Sequence, residues 1–350
     1  MCSQRLNELQ SIVDFRPRQP GLTKAKLGQV CTWDQTGWHS KPDELNEVAW
    51  VCSNLGSLSA TLSQNLMLEN TFCHVPGIGL ATERKLWSAG ILNWEDSLGT
   101  TEVLARILKK RTDVFRQRLD TSRERLEKSD VRYFSGVLHP RHHWRLFPHF
   151  RHSIAYIDIE TTGLWAGDAI TTIALYDGQS IFHYVNGDNL DQFRRDIRDY
   201  DLIVTYNGKG FDVPMLENYF DMRLRQAHID LRYVLESLGY HGGLKICESE
   251  LGIDRGSLDG VDGYFAIWLW YEFRRNNNPK ALETLLAYNI QDVLNLETLL
   301  TMAYNLEIED TPFRLTLHLP TPLGIPNPFK PDMRTIDRIM YRTAGIAYAS

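Results

Sequence analysis

Several common classes are excluded by what the sequence lacks. Its five cysteines (Cys2, Cys31, Cys52, Cys73, Cys247) are odd in number, scattered and never in C-x-x-C spacing. That argues against a disulfide framework or a zinc site and suits a reducing compartment. No run approaches the roughly 18 apolar residues of a membrane span, and the N-terminus has no basic-then-apolar signal pattern. A soluble cytoplasmic protein is the expectation. There is no overall basic excess either: the net charge is −6. A wholly basic nucleic-acid binder is therefore excluded, and any such role must rest on how charge is distributed. Asn207-Gly208-Lys209-Gly210 is not a P-loop, because the Gly-x-x-x-x-Gly-Lys-Ser/Thr pattern is absent. Asp230, Asp254, Asp259 and Asp262 lack the alternating ligand spacing of a calcium loop and read as structural turn acids.

What is present divides into four stretches. The chain has 350 residues, 43% of them hydrophobic, enough for two or three domains and a sizeable core. Residues 1–66 are poorly patterned, with helices expected at Asp43–Cys52 and over L-S-A-T-L-S-Q-N-L (Leu58 to Leu66). Patterning begins abruptly at Met67, so the expectation is either that Met67 is the real start or that the preceding region is a variable extension. Residues 67–150 read as helical and residues 151–310 as α/β. Residues 311–350 carry six prolines between Thr311 and Pro331, which predicts an extended tail wrapping a surface, with a last helix at Asp332–Tyr341.

In the helical stretch, Pro76-Gly77-Ile78-Gly79 is a tight turn that can expose backbone N–H groups beside the positive end of the following helix. Such a turn can hold a phosphate. It resembles the helix-hairpin-helix motif of DNA repair and recombination proteins. That resemblance implies backbone contacts through Gly77, Gly79 and Lys85; the other reading is a helical hairpin used for packing. Glu102–Lys128 reads as one long helix or two, with Val103, Ile107, Leu108, Val114, Phe115, Leu119 and Leu126 on the buried side. From Arg106 to Arg145 there are twelve Lys or Arg against five Asp or Glu, a balance of +7. Beside the hairpin, this suits a phosphate-backbone track. His139, His142, His143 and His149 read as surface or packing residues.

The α/β stretch opens with S-I-A-Y-I-D-I-E-T-T-G-L (Ser153 to Leu164). Residues i and i+2 of a strand share a face, so Asp158 and Glu160 project together from an otherwise apolar strand. Two carboxylates side by side repel each other and resist desolvation; a divalent cation or solvent must offset that. Strands are expected at Ile170–Tyr176, Ser180–Val185 and Asp201–Tyr206, and helices at Leu190–Arg198, Arg232–Leu238, Leu244–Leu251, Tyr264–Arg275 and Lys280–Tyr304. The aromatic run Tyr264–Phe273 reads as helix packing. Asp212 starts a helix, where the dipole favours its ionised form. Tyr288 and Asp292, four apart, share one face of the last long helix. Lys245 is either a phosphate contact or an ordinary helix-start lysine.

The blocks D-I-E-T-T-G-L, Y-N-G-K-G-F-D-V-P-M-L and Y-N-I-Q-D (Asp158 to Asp292) resemble the three sequence blocks of DEDD 3′–5′ exonucleases of the ribonuclease H-like superfamily. Tyr288, four before the last Asp, matches the tyrosine subtype, DEDDy; Ala287 stands where the other subtype has His. D-G-V-D-G-Y and L-G-I-D-R further resemble bacterial YprB-type RNase H-like proteins. The resemblance implies an α/β fold: a mixed five-stranded sheet flanked by helices, preceded by a small α-helical domain. It implies metal-dependent phosphodiester hydrolysis with two Mg²⁺ or Mn²⁺ ions, on DNA or RNA with a single-stranded 3′ end. Asp158 would bridge both ions, Glu160 and Asp292 would hold the one that activates water, and Asp212 would support the second. Tyr288 would orient the attacking water, Leu164 would wedge against the terminal base, and Asn207 and Phe211 would position the 3′ end. A non-catalytic RNase H-like nucleic-acid-binding module and an RNase H-type endonuclease are the alternatives.

Overall fold

A computed structural model describes residues 31–34, 37–40, 67–163 and 169–347. The chain divides into two units, residues 1–64 and 65–350. In the first, β1 (Cys31–Asp34) and β2 (Gly37–Ser40) pair antiparallel with Trp33 in register with Trp38. Four-residue strands are too short to show a period, which is why the sequence gives no sign of them. The helices expected at Asp43–Cys52 and Leu58–Leu66, and Leu164, lie outside the described residues.

The second unit begins with turns and then α1 (Leu80–Ser88). The Glu102–Lys128 stretch forms two helices, α2 (Thr101–Leu108) and α3 (Thr112–Glu127). A 3₁₀ turn at Lys109–Arg111, with Lys109 at φ 56°, separates them. This break resets the helical phase: Phe115 and Leu119 are buried as expected, but Val114 is exposed. α4 (Val131–Val137) and α5 (Phe147–Phe150) complete the helical stretch. Its anchor is a buried ion pair. Arg145 donates from both guanidinium nitrogens to Glu83, each at 2.9 Å, and Glu83 also accepts from the backbone N–H groups of Phe72 and Cys73. His143 is a packing residue that bonds the His228 carbonyl in the sheet at 2.9 Å.

The sheet contains β3 (Ile154–Thr161), β4 (Ile170–Tyr176), β5 (Ile181–Val185), β6 (Leu202–Thr205) and β7 (Ala227–Asp230), in the order β5-β4-β3-β6-β7. β5, β4 and β3 are antiparallel neighbours; β3, β6 and β7 are parallel. β7 is the fifth strand of the expected sheet, the one the sequence did not locate. Its A-H-I-D sequence is too short and polar to read as a strand, and pairing with β6 makes it one. Further along come α6 (Phe193–Asp196), α7 (Asp212–Phe220), α8 (Leu231–Ser237), α9 (Leu244–Glu250), α10 (Gly263–Asn276), α11 (Pro279–Glu309) and α12 (Met333–Ala347).

Period-two alternation along β3 decides what packs where. Ala155, Ile157 and Ile159 face a cluster with Phe193, Ile197, Leu216 and Phe220 from α6, α7 and their surroundings. Ile154 and Tyr156 face the other way, into a core shared with Ile290, Val293 and Leu296 of α11. That core continues into the helical stretch through Phe72, Phe115, Phe134 and Trp144. Asp158 and Glu160 continue the Ile154–Tyr156 face, so the alternation aims both acids toward α11. Within α10, Phe265, Leu269 and Trp270 pack on α11 as expected, whereas Tyr264 and Trp268 are exposed. Beyond α11 the chain runs without helix or strand from 310 to 332. It is pinned to α11 by paired bonds between Asn305 and Leu319 and by Asn327 donating to the Ala287 carbonyl.

Candidate active site

The site forms where the carboxyl end of β3 meets α11. Asp158 and Glu160 come from β3, and a register shift against β4 falls immediately after Glu160. Asp292 comes from α11, one turn beyond Tyr288. Oxygens of Asp158, Glu160 and Asp292 lie within 4.8 Å of one another. Asp212, first residue of α7, lines the same cavity of about 430 Å³ but is not part of that close group. Glu160, Asp212, Tyr288 and Asp292 are buried, and Asp158 is half-buried. Asn289 donates to Asp158 Oδ2 at 2.7 Å, and its own side-chain oxygen accepts from Thr172 at 3.0 Å. This relay fixes the Asp158 carboxylate.

Electrostatics oppose ionisation of these carboxyls when no cation is bound. Burial, then repulsion from Asp292 and Glu160, pushes the Asp158 carboxyl well above the usual range. Burial and Asp292 do the same to Glu160. Burial raises Asp212 to about 7, against backbone hydrogen bonds that favour its charged form. Asp292 is also raised by burial, opposed by Arg255. Such acids hold protons or a cation, and their oxygen-only donor set fits Mg²⁺ or Mn²⁺.

Two cations meet these acids. Arg255 donates to Asp292 and, at 2.6 Å, to Glu248, which also accepts from Asn295. Lys245 donates to the Tyr288 hydroxyl and the Val261 carbonyl, with its ammonium 4.2 Å from the centre of the Tyr288 ring. Burial lowers the Lys245 pKa, and Asp292 opposes that. Lys245 thus belongs to the site. Arg255 ends the quoted L-G-I-D-R but received no site role from the sequence: it follows Asp254 in an ordinary-looking turn, and its partners are seven and 37 residues away. Tyr264, read as packing, is 69% exposed and lines the cavity instead.

The loop after β6 is built for close approach. A Cβ on Gly208 would sit 2.2 Å from Thr205 Oγ1, so only glycine fits. Asn207 takes φ 62°; its N–H and that of Lys209 donate to Asp230, and its side-chain oxygen accepts from Arg232. Asn207 and Phe211 line the cavity. Asp230 is therefore a structural acid, as expected. So are Asp254, which accepts from the Gly256 N–H, and Asp262, which caps α10 and also reaches the cavity edge.

Gly77, Gly79 and Lys85 are exposed and outside this cavity. Gly77 takes φ 78° and its carbonyl accepts from Arg111. The described residues before it form turns rather than a first helix, so the two-helix geometry expected of the hairpin is absent among the described residues.

Residues 155–304 match the family described as RNase_H superfamily. Together with the mixed sheet order and the flanking helices, this makes that segment an RNase H-like domain. The chain is 29% identical over 173 residues to the uncharacterized protein YprB of Bacillus subtilis (strain 168), covering 43% of this chain and 41% of that protein. It thus spans less than half the length of that relative. The family B DNA polymerase of the archaeon Pyrobaculum calidifontis aligns with 45% of this chain and 24% of its own, at 17% identity and a TM-score of 0.34. That likeness is too slight to add to the assignment. Among the described residues, no helix is long and apolar enough to cross a membrane.

Proposed function

We propose that the chain is a metal-dependent nuclease that removes nucleotides from the 3′ end of DNA or RNA. The observation that carries this reading is the convergence of Asp158, Glu160 and Asp292 within 4.8 Å beside Tyr288. Asp158, Glu160, Asp292 and Asp212 would hold one or two Mg²⁺ or Mn²⁺ ions. When bound, such ions supply Lewis acidity and lower the pKa of water enough to make it a nucleophile at neutral pH.

The chain's own residues do the rest. Asn289 keeps Asp158 aimed into the cavity. Tyr288 presents a hydroxyl that Lys245 holds in place, and burial keeps that hydroxyl protonated. It is therefore a donor suited to orienting a water or a phosphate oxygen. Lys245, which lines the cavity, supplies a positive charge there for a scissile phosphate. Asn207 and Phe211 border the space a terminal nucleotide would fill, and the exposed Tyr264 ring offers a stacking surface for its base.

The test is cleavage of 5′-labelled single-stranded DNA and RNA with Mg²⁺ or Mn²⁺. A ladder shortening from the 3′ end, lost with chelator and with Asp158→Ala, supports the reading. Equal activity in that variant, or none in wild type with either metal, rejects it.

One observation favours a second reading. Arg255 already pairs with Asp292, which lessens the need for a cation there and suits a nucleic-acid-binding domain without catalysis. In that case Mn²⁺ binds no better to wild type than to Asp158→Asn.

A further inference from the structure

An open cleft of about 1040 Å³, lined by five arginines, lies at the far end of the sheet from the acids. It sits where β6 and β7 begin, beside Asp201 and Gln226, and where α7 ends, beside Asp221. The strands β3, β6 and β7 are parallel, and the acidic site lies at their carboxyl ends, so the cleft and the site occupy opposite ends. α7 runs between them. Its nine residues span about 14 Å at 1.5 Å each.

Arg223 is occupied by an ion pair with Glu217 at 2.6 Å. The other four are Arg132, Arg194, Arg198 and Arg225. All are exposed, and none makes an ion pair or side-chain hydrogen bond with a described residue. They come from three segments of the chain: α4, the continuous helical run of α6 and the 3₁₀ turn Ile197–Asp199, and the loop before β7. Their convergence is therefore tertiary, unlike a charge run along one solvated helix face. Of the acids lining the cleft, Glu217 is paired, while Asp201, which accepts from the Ser153 hydroxyl at 2.9 Å, and Asp221 keep their charge, so the four free arginines outnumber them by two. Four guanidiniums on one concave surface repel each other until an anion joins them, and their planar forks match phosphate oxygens. Arg132 also belongs to the basic stretch from Arg106 to Arg145, so the cleft extends that surface onto the RNase H-like domain.

We propose that this cleft binds the phosphate backbone of a nucleic-acid single strand, some distance upstream of the end held in the acidic cavity. This rests on the nucleic-acid reading above. A strand reaching both sites must span at least the length of α7, about 14 Å.

The test is fluorescence anisotropy of a labelled 20-nucleotide oligo-dT with the full chain in EDTA, across a salt series. Combining Arg194→Gln, Arg198→Gln and Arg225→Gln should weaken binding by on the order of tenfold. It should also lower the slope of log affinity against log salt by about two, since each single-strand phosphate contact contributes about 0.7. If the triple variant is misfolded by circular dichroism, Arg198→Gln alone should lower the slope by about 0.7.

Unchanged affinity and slope would overturn the proposal. So would an equal loss in a control triple (Arg274→Gln, Arg275→Gln, Arg334→Gln), competition by poly-glutamate as effective as by oligonucleotide, or no binding by wild type. Arginine-dependent binding without any metal-dependent cleavage would reject the nuclease reading and retain the cleft. Cleavage with undiminished binding by the triple variant would do the reverse.

Discussion

The side chains of Arg145 and Arg255 are both covered and both hold carboxylates, and they do opposite things. Arg145 meets Glu83 through two parallel bonds, and two backbone N–H groups complete the carboxylate's shell. One charge meets one charge, with every Glu83 oxygen bonded. Arg255 meets Asp292 and Glu248 while Asp158, Glu160 and Asp212 crowd the neighbouring cavity. There, Arg255 and Lys245 are set against five carboxylates. The first arrangement is a closed structural device; the second is left short of positive charge. A buried acid with a complete shell marks architecture. A buried acid without one marks a place where something positive is expected to bind.

The largest effect should come from removing an acid of the incomplete set. Asp158→Asn should reduce 3′-end cleavage by on the order of 10³-fold, a loss comparable to removing one strong electrostatic stabiliser from an active site. The same change relieves repulsion, so the melting temperature in EDTA should stay level or rise. A fall of several degrees would mean that Asp158 is structural, like Glu83.

Breaking the complete pair should act only on stability. Glu83→Gln should cost about 3–5 kcal/mol, because Arg145 is left buried and uncompensated. Denaturant unfolding should register that loss equally with and without divalent metal.

Arg255→Gln sharpens the contrast. It should destabilise the protein in chelator. Saturating Mn²⁺ should restore much of the loss, since a ligand at a hundred times its Kd contributes about 2.7 kcal/mol. Loss that metal does not restore would place Arg255 with Arg145.

The smallest effect concerns His74, buried beside the Glu83–Arg145 pair and bonded to Ser122 at 3.0 Å. Burial, then Arg118 and Arg145, lowers its pKa to about 3 from an ordinary 6.5. The unfolded chain therefore takes up a proton below pH 6.5 that the native protein refuses. The stability is fully present above pH 6.5 and is lost as pH falls from there toward 3, by about 2 kcal/mol at pH 5. Urea titrations at pH 7 and pH 5 should show that loss shrinking in His74→Gln; an unchanged pH dependence would contradict it.

The incomplete set was largely legible in the sequence because local periods generate it. Alternation on β3 joins Asp158 to Glu160, and a four-residue helical step joins Tyr288 to Asp292. The turn acids Asp230, Asp254 and Asp262 were legible too, since capping is local. What stayed hidden depends on distant partners. β7 is a strand only because β6 lies beside it. Arg255 is a site residue only because folding carries its turn to α11. The arginines of the cleft are ordinary surface charges until three distant segments converge. Tyr264 shows a different limit: an aromatic run at helical spacing says that one face packs, without saying which rings stay outside. The break at Lys109–Arg111 shifted Val114 to the surface for a similar reason, since one short turn resets the phase.

The central claim, that the acids lack positive charge and take a divalent cation, is tested most directly by calorimetric titration of Mn²⁺ into wild type and Asp158→Asn. Saturable binding in wild type that is lost or strongly weakened in the variant is the predicted result. Equal binding in both, or none in wild type, would contradict it.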